Sequence, residues 1–136
     1  MVIDSSALIA LLLAEPEADA FVAVVAGSSS RSISAGSYLE TTIVMLARSG
    51  PDAPEKVDRL LAELSIAIVP FTRDQADLAI TAYRQYGKGS GHLASLNFGD
   101  CFTYALAKLT DEPVLFKGND FSLTDMRVAS AQRDAS

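Results

Sequence analysis

Met1-Val2-Ile3-Asp4-Ser5-Ser6-Ala7-Leu8 opens the chain: an apolar run, an acid, two hydroxyl residues, then apolar residues again. Residues 1–4 read as a short buried strand, and Ser5 or Ser6 caps a helix that runs through Leu13. The same alternation continues outward. Pro16 stands in the first turn of a second helix, through Phe21 to Val25, which Gly27 and a run of serines end. Residues 31–34 form a candidate strand and 36–48 a helix, broken at Gly50-Pro51. Residues 53–64 carry Val57, Leu60, Leu61 and Leu64 on one helical face. A strand over 66–69 closes at Pro70. Thr72 caps a helix to about Tyr86, with Ala76, Ala79, Ile80 and Tyr83 expected inward. A glycine-rich loop over 87–98 leads to a helix over 99–109, a strand over 114–116 and a last strand near 127–131. Short apolar strands alternating with longer helices predict an α/β fold: one α/β/α sandwich over 1–136, around a mainly parallel central sheet.

With 136 residues, 49% of them hydrophobic, the chain is long enough to bury a core and is not of disordered composition. The formal net charge of −6 argues against broad affinity for nucleic acid, which needs a basic surface. It leaves room for an enzyme of nucleic acid whose acids cluster around metal ions. The single Cys101 excludes an intramolecular disulfide, suits a reducing cytoplasm, and reads as a core residue on an apolar helical face. Residues 7–14 look like the core of a signal peptide. However, Asp4 stands where a basic residue belongs, and Glu15-Pro16-Glu17 stands where a cleavage site would be. The run is also too short to span a bilayer. The expectation is a cytoplasmic protein with no membrane contact.

Four acids sit in or beside apolar stretches: Asp4, Glu40, Asp100 and Asp120. Carboxylates are rarely buried without a partner, and few Lys or Arg stand near these in sequence. In parallel sheets, sites form beyond the carboxyl ends of the strands, where Asp4 and Asp120 are expected. Asp100 near a helix start meets the favourable end of the backbone dipole. Convergence of the four would suit a hard divalent cation, which prefers oxygen ligands and offsets carboxylate repulsion. Singly, each has a plainer reading: Asp4 as a helix cap, Glu40 as an exposed helical acid, Asp100 as a helix-start residue, Asp120 as part of a Gly118-Asn119-Asp120 turn.

Together and in this order they resemble PIN-domain ribonucleases, specifically the VapC-type toxins of bacterial toxin–antitoxin pairs. The resemblance covers almost the whole chain. It is carried by Val2-Ile3-Asp4-Ser5-Ser6-Ala7-Leu8, by Ser37-Tyr38-Leu39-Glu40, and most specifically by Leu96-Asn97-Phe98-Gly99-Asp100-Cys101-Phe102-Thr103-Tyr104-Ala105-Leu106-Ala107. Leu115-Phe116-Lys117-Gly118-Asn119-Asp120-Phe121 with Thr124-Asp125 completes it. It implies an endoribonuclease dependent on Mg²⁺ or Mn²⁺. On that resemblance Asp4 and Asp100 are the primary metal ligands. Glu40 binds metal or positions water, and Asp120 completes the pocket, directly or through water. Ser5 or Ser6 hydrogen-bonds a ligand or the scissile phosphate, and Asn97 orients an acid or contacts RNA. A cognate VapB-type antitoxin, a homodimer and a toxin–antitoxin hetero-oligomer are implied too. The antitoxin would insert a helix or tail whose Arg enters the acidic pocket.

Arg84, Lys88 and Lys117 are the candidate phosphate contacts. His92, the one histidine, has no visible nucleophile to pair with and reads as a loop residue. Asp125 is expected outside the site. Asp74 and Asp77, and the alternating charges Glu55, Lys56, Asp58, Arg59 and Glu63, read as solvated helical faces. The loop at 87–91 lacks the Gly-Lys-Ser/Thr ending of a phosphate-binding P-loop. A non-catalytic binding module of the same fold is the alternative function. A phospho-acceptor receiver is disfavoured because Ser5 and Ser6 follow Asp4 where a second acid is needed. A haloacid-dehalogenase-type phosphatase would want Asp where Ser6 stands.

Overall fold

The computed structural model describes residues 1–130. Ten elements follow one another: β1 (Val2–Ile3), α1 (Ser5–Leu12), α2 (Ala18–Ala26), β2 (Ser32–Ser34), α3 (Ala35–Ser49), α4 (Ala53–Glu63), β3 (Ala67–Val69), α5 (Arg73–Tyr86), α6 (Phe98–Thr110) and β4 (Val114–Leu115). The strands form one parallel sheet in the order β3-β2-β1-β4, with Val2 opposite both Ser32 and Val114, and Ile33 opposite Ile68.

Strand alternation builds the two faces. Ile3, Ile33 and Leu115 point into a core with Leu8, Val25, Met45, Val57 and Leu61 from α1 to α4. Their neighbours Val2 and Val114 point to the other face, onto Tyr86, Leu96, Tyr104, Leu106 and Phe121. The result is the expected α/β/α sandwich. From β1 the chain steps outward to β2 and β3, then crosses back so that β4 lies on the far side of β1. The order therefore reverses between β1 and β4, which opens a crevice beyond their carboxyl ends.

Several boundaries differ from the sequence reading. Asp4, not Ser5 or Ser6, caps α1, its carboxylate accepting from the Ser6 N–H. The second helix starts at Ala18, since Pro16 lies in the preceding turn. Asn97 caps α6, so that helix includes Phe98. Near the end, Val128 makes only an isolated parallel bridge to Val114, and residue 131 of the expected last strand lies outside the described residues.

Helix α5 turns inward a face that shares Ala79 with the expected one but not Ile80 or Tyr83. Gln75, Ala79, Ala82 and Tyr86 are buried, while Ile80 is 57% and Tyr83 42% exposed. These two line an open apolar groove of about 550 Å³ with Phe71, Phe98 and Phe102. Cys101 also borders this groove and is only half-buried, which corrects its reading as a core residue. The solvated faces are as expected: Glu55, Lys56, Asp58, Arg59, Glu63, Asp74 and Asp77 are all exposed. Among the described residues no helix is long and apolar enough to cross a membrane.

Candidate functional site

The crevice at the reversal point is a cleft of about 200 Å³ lined by Asp4, Ser5, Ser6, Glu40, Asn97, Asp100, Lys117 and Asp120, among others. Every residue singled out in sequence for the acidic site reaches it. The apolar groove between α5 and α6 is larger, but it holds no carboxylate. The chemistry belongs to the smaller cleft.

Asp4 leaves β1 with its backbone N–H still bonded to the Leu115 carbonyl, so strand pairing fixes its direction. The side chain is 3% exposed. Its Oδ2 accepts from the Ser6 N–H (3.1 Å) and the Ser6 hydroxyl (2.6 Å), and its Oδ1 from the Thr103 hydroxyl (2.6 Å). Burial raises its pKa above the usual carboxylate value, and these donors pull the other way. The Ser6 hydroxyl also accepts from the Lys117 N–H at 2.9 Å, which ties the start of α1 to the chain leaving β4.

Asp100 sits in the first turn of α6 within a capping box. Its backbone N–H donates to Asn97 Oδ1 (2.9 Å), and its Oδ2 accepts from the Asn97 N–H (3.0 Å). Asn97 thus orients an acid, one of the two roles open to it. Burial pushes the Asp100 pKa up to about 8. The Asn97 N–H opposes the rise, and the charges of Asp4 and Asp120 add to it.

Glu40 lies half-buried on α3, its Oε1 accepting from the Ser5 hydroxyl at 2.7 Å. Gly99 makes room for it, because a Cβ there would lie well inside contact distance of both carboxylate oxygens. Asp120 follows β4 on an exposed turn. Lys117 lines the cleft, but its ammonium pairs with Glu15 (3.2 Å) and Glu17 (3.0 Å) on the turn before α2.

The other candidates stand apart. Arg84 borders the apolar groove and Lys88 is exposed; neither lines the acidic cleft. His92 stacks edge-on against Tyr86 and its Nδ1 accepts from the Ala94 N–H, a loop role as expected. Asp125 accepts from the Tyr104 hydroxyl and the Lys108 ammonium, outside the cleft. Burial and the charge of Asp100 push the Cys101 thiol up to about 11, far from a reactive thiolate.

Thr103 escaped the sequence reading. Its only signal was its position one turn beyond Asp100, a hydroxyl among the apolar residues of α6.

Among the described residues, no three His, Cys, Asp or Glu side chains stand as a finished metal-ligand set. Asp4, Glu40 and Asp100 are each turned onto their own hydrogen-bond donors. The donor chemistry still suits a hard cation, since every acid in the cleft offers oxygen and the crowding of Asp4, Asp100 and Asp120 is the kind that a divalent ion relieves.

Residues 1–126 match the family model described as PIN domain, and the chain belongs to that family. Within it, the chain is 51% identical to the Ribonuclease VapC of Mycolicibacterium smegmatis over 126 residues, 93% of this chain and 97% of that one. It is 49% identical to Ribonuclease VapC30 of Mycobacterium tuberculosis, over 93% of this chain and 95% of that one. Such likeness over nearly full length places it with the VapC members of the family. The crystal structure of M. tuberculosis VapC20, a sarcin–ricin-loop-cleaving toxin, superposes with a TM-score of 0.76 at 15% identity. It covers 95% of this chain and 98% of that one. A chain of a Klebsiella pneumoniae toxin–antitoxin complex gives 0.64 at 20% identity, with 89% of each covered. Both share the fold.

Proposed function

We propose that this protein is a metal-dependent endoribonuclease, the toxin of a type II toxin–antitoxin pair. The observation that carries the reading is the meeting of four acids from four separate segments of the chain in one cleft at the sheet's reversal point. Its relatives at about half identity are named ribonucleases, which supports the same reading.

Asp4 and Asp100 would hold Mg²⁺ or Mn²⁺, with Glu40 as a third ligand or as the group that positions the attacking water. Asp120, on its exposed turn, would complete the pocket. When bound, the ion supplies charge for the phosphate oxygens and lowers the pKa of water. Ser5 and Ser6 act through the acids, because their hydroxyls already donate to Glu40 and Asp4. Asn97 holds Asp100 through the capping box. Lys117 is the phosphate contact: the residue lines the cleft, and its ammonium, now paired with Glu15 and Glu17, can exchange those carboxylates for an RNA phosphate.

The partner would be a VapB-type antitoxin whose Arg enters the acidic cleft, in a hetero-oligomer containing a toxin homodimer; the setting is the cytoplasm. The open apolar groove beside α6 favours protein partners in addition to RNA, as the alternative of a non-catalytic binding module also would. Incubation of a total-RNA pool with antitoxin-free protein in Mg²⁺, Mn²⁺ or EDTA, beside Asp100→Asn, separates the two. Discrete fragments that need metal and vanish in the variant are expected. Partner binding by folded, metal-loaded protein that cleaves nothing would favour the binding module.

A further inference from the structure

We propose that Thr103 is a positioning residue for Asp4, and that a buried relay of hydroxyls from Ser37 through Thr103 fixes how Asp4 faces the cleft. This rests on the reading of Asp4 as a metal ligand. Thr103 and Ser37 are both 0% exposed. The Thr103 hydroxyl donates to Asp4 Oδ1 at 2.6 Å, and Ser37 Oγ lies 3.2 Å from Thr103 Oγ1. A hydroxyl has one proton to give. Thr103 gives its proton to the carboxylate, so Ser37 must donate to Thr103, and the relay runs in one direction. The Ser37 backbone at the far end lies in α3, where its carbonyl also accepts from the buried Thr41 hydroxyl at 2.8 Å.

The relay links the elements that carry three of the acids. Ser37 stands three residues before Glu40 on α3, and Thr103 three residues after Asp100 on α6. In a helix that spacing puts both side chains on one face. A shift of either helix is therefore felt at Asp4, and the acids are held in mutual register. Ser6 grips Asp4 Oδ2 from its own helix, but Thr103 is the donor from across the sheet. Were the relay only filler, apolar side chains of the same shape would serve at less cost, because buried hydroxyls must be satisfied.

The test uses antitoxin-free protein and two readouts: the Mn²⁺ binding isotherm by calorimetry, and kcat and KM for RNA cleavage. Thr103→Val keeps the shape and removes the hydroxyl, Thr103→Ser keeps the hydroxyl, and Ser37→Ala removes the far donor. Partners that orient metal ligands typically contribute about 10–100-fold to affinity. Thr103→Val should thus weaken Mn²⁺ binding by roughly tenfold or more and lower kcat with little change in KM. Thr103→Ser should recover most of both, and Ser37→Ala should lose less. Wild-type Mn²⁺ affinity in folded Thr103→Val overturns the inference. Should that variant not fold, unchanged affinity in Ser37→Ala overturns it instead, and weakened affinity there supports it. Failure of the wild type itself to bind Mn²⁺ refutes the functional reading and the inference with it, which sets that result apart from the others.

Discussion

Asp100→Asn, stripped of divalent metal by EDTA, should melt at a higher temperature than the wild type. Burial first, and then the neighbouring Asp4 and Asp120, push the Asp100 carboxyl from 3.8 to about 8. A carboxyl raised on folding binds its proton more tightly in the native state, so stability is highest below the unfolded value and falls as pH rises towards about 8. At pH 7 the group stands some three pH units above 3.8, each worth about 1.4 kcal/mol, for a ceiling of about 4 kcal/mol. The carboxyl opens onto the cleft, and solvent screening brings this down to about 1–2 kcal/mol. Asparagine keeps an oxygen to accept from the Asn97 N–H, so the capping box survives the substitution. For a domain of this size the gain corresponds to roughly 3–8 °C in Tm. Saturating Mn²⁺ should reverse the order, since metal at a hundred times its Kd stabilises the wild type by about 2.7 kcal/mol and the variant far less. Thermal melts in EDTA and in Mn²⁺, from pH 5 to 8, read all of this. A variant that melts below the wild type in EDTA, or a gap that does not widen with pH, would refute the electrostatic account of the cleft.

Binding of Mn²⁺ at pH 7 should release protons and tighten towards pH 8, because Asp100 and Asp4 are both raised in its absence; calorimetric heats that do not vary with the buffer's ionisation enthalpy would contradict this. Gly99→Ala should displace Glu40 and reduce cleavage by roughly 10–100-fold while circular dichroism stays native, since the new methyl occupies the space of the Glu40 carboxylate. Tyr104→Phe should cost about 1 kcal/mol at pH 7 in urea unfolding, by removing one donor to Asp125. Burial works against the Asp125 charge, but Lys108 and Tyr104 prevail and hold its pKa below 3.8. Its contribution is therefore present above that value, and the deficit of the variant should close as pH falls through the depressed folded pKa.

The fold was legible because its signals are periodic and local. Val2 and Ile3, like Val114 and Leu115, belong to strands buried on both faces, and such strands read as unbroken apolar runs. Helix α5 shows where periodicity stops short. Its sequence offers two overlapping stripes, and the larger side chains Ile80 and Tyr83 suggest the wrong one. The face that is buried instead carries Gln75, Ala79, Ala82 and Tyr86, in a helix that packs chiefly against α6. Small residues allow close approach there, and Gln75 is half satisfied: its Nε2 donates to the Pro70 carbonyl at 3.0 Å, while its buried Oε1 has no partner among the described residues. Both the choice of stripe and the direction of Lys117, drawn aside by Glu15 and Glu17, depend on neighbours distant in sequence.

For Asp4 the two sequence readings were never alternatives. The carboxylate that caps α1 also lines the cleft, and Asp100 likewise serves a capping box and the site together. A helix start supplies unpaired N–H groups that steady a buried charge. An acid can therefore be carried into the interior at such a point without a basic partner, which is why Lys and Arg are scarce around the acids in sequence. Those N–H groups reach only one side of each carboxylate. On the side facing the cleft, the charges of Asp4 and Asp120 add to the cost of ionising Asp100. The same local geometry that lets the fold tolerate the acids thus brings them to one cleft, and hydroxyls such as Thr103, invisible to motif reading, hold Asp4 where it lines that cleft.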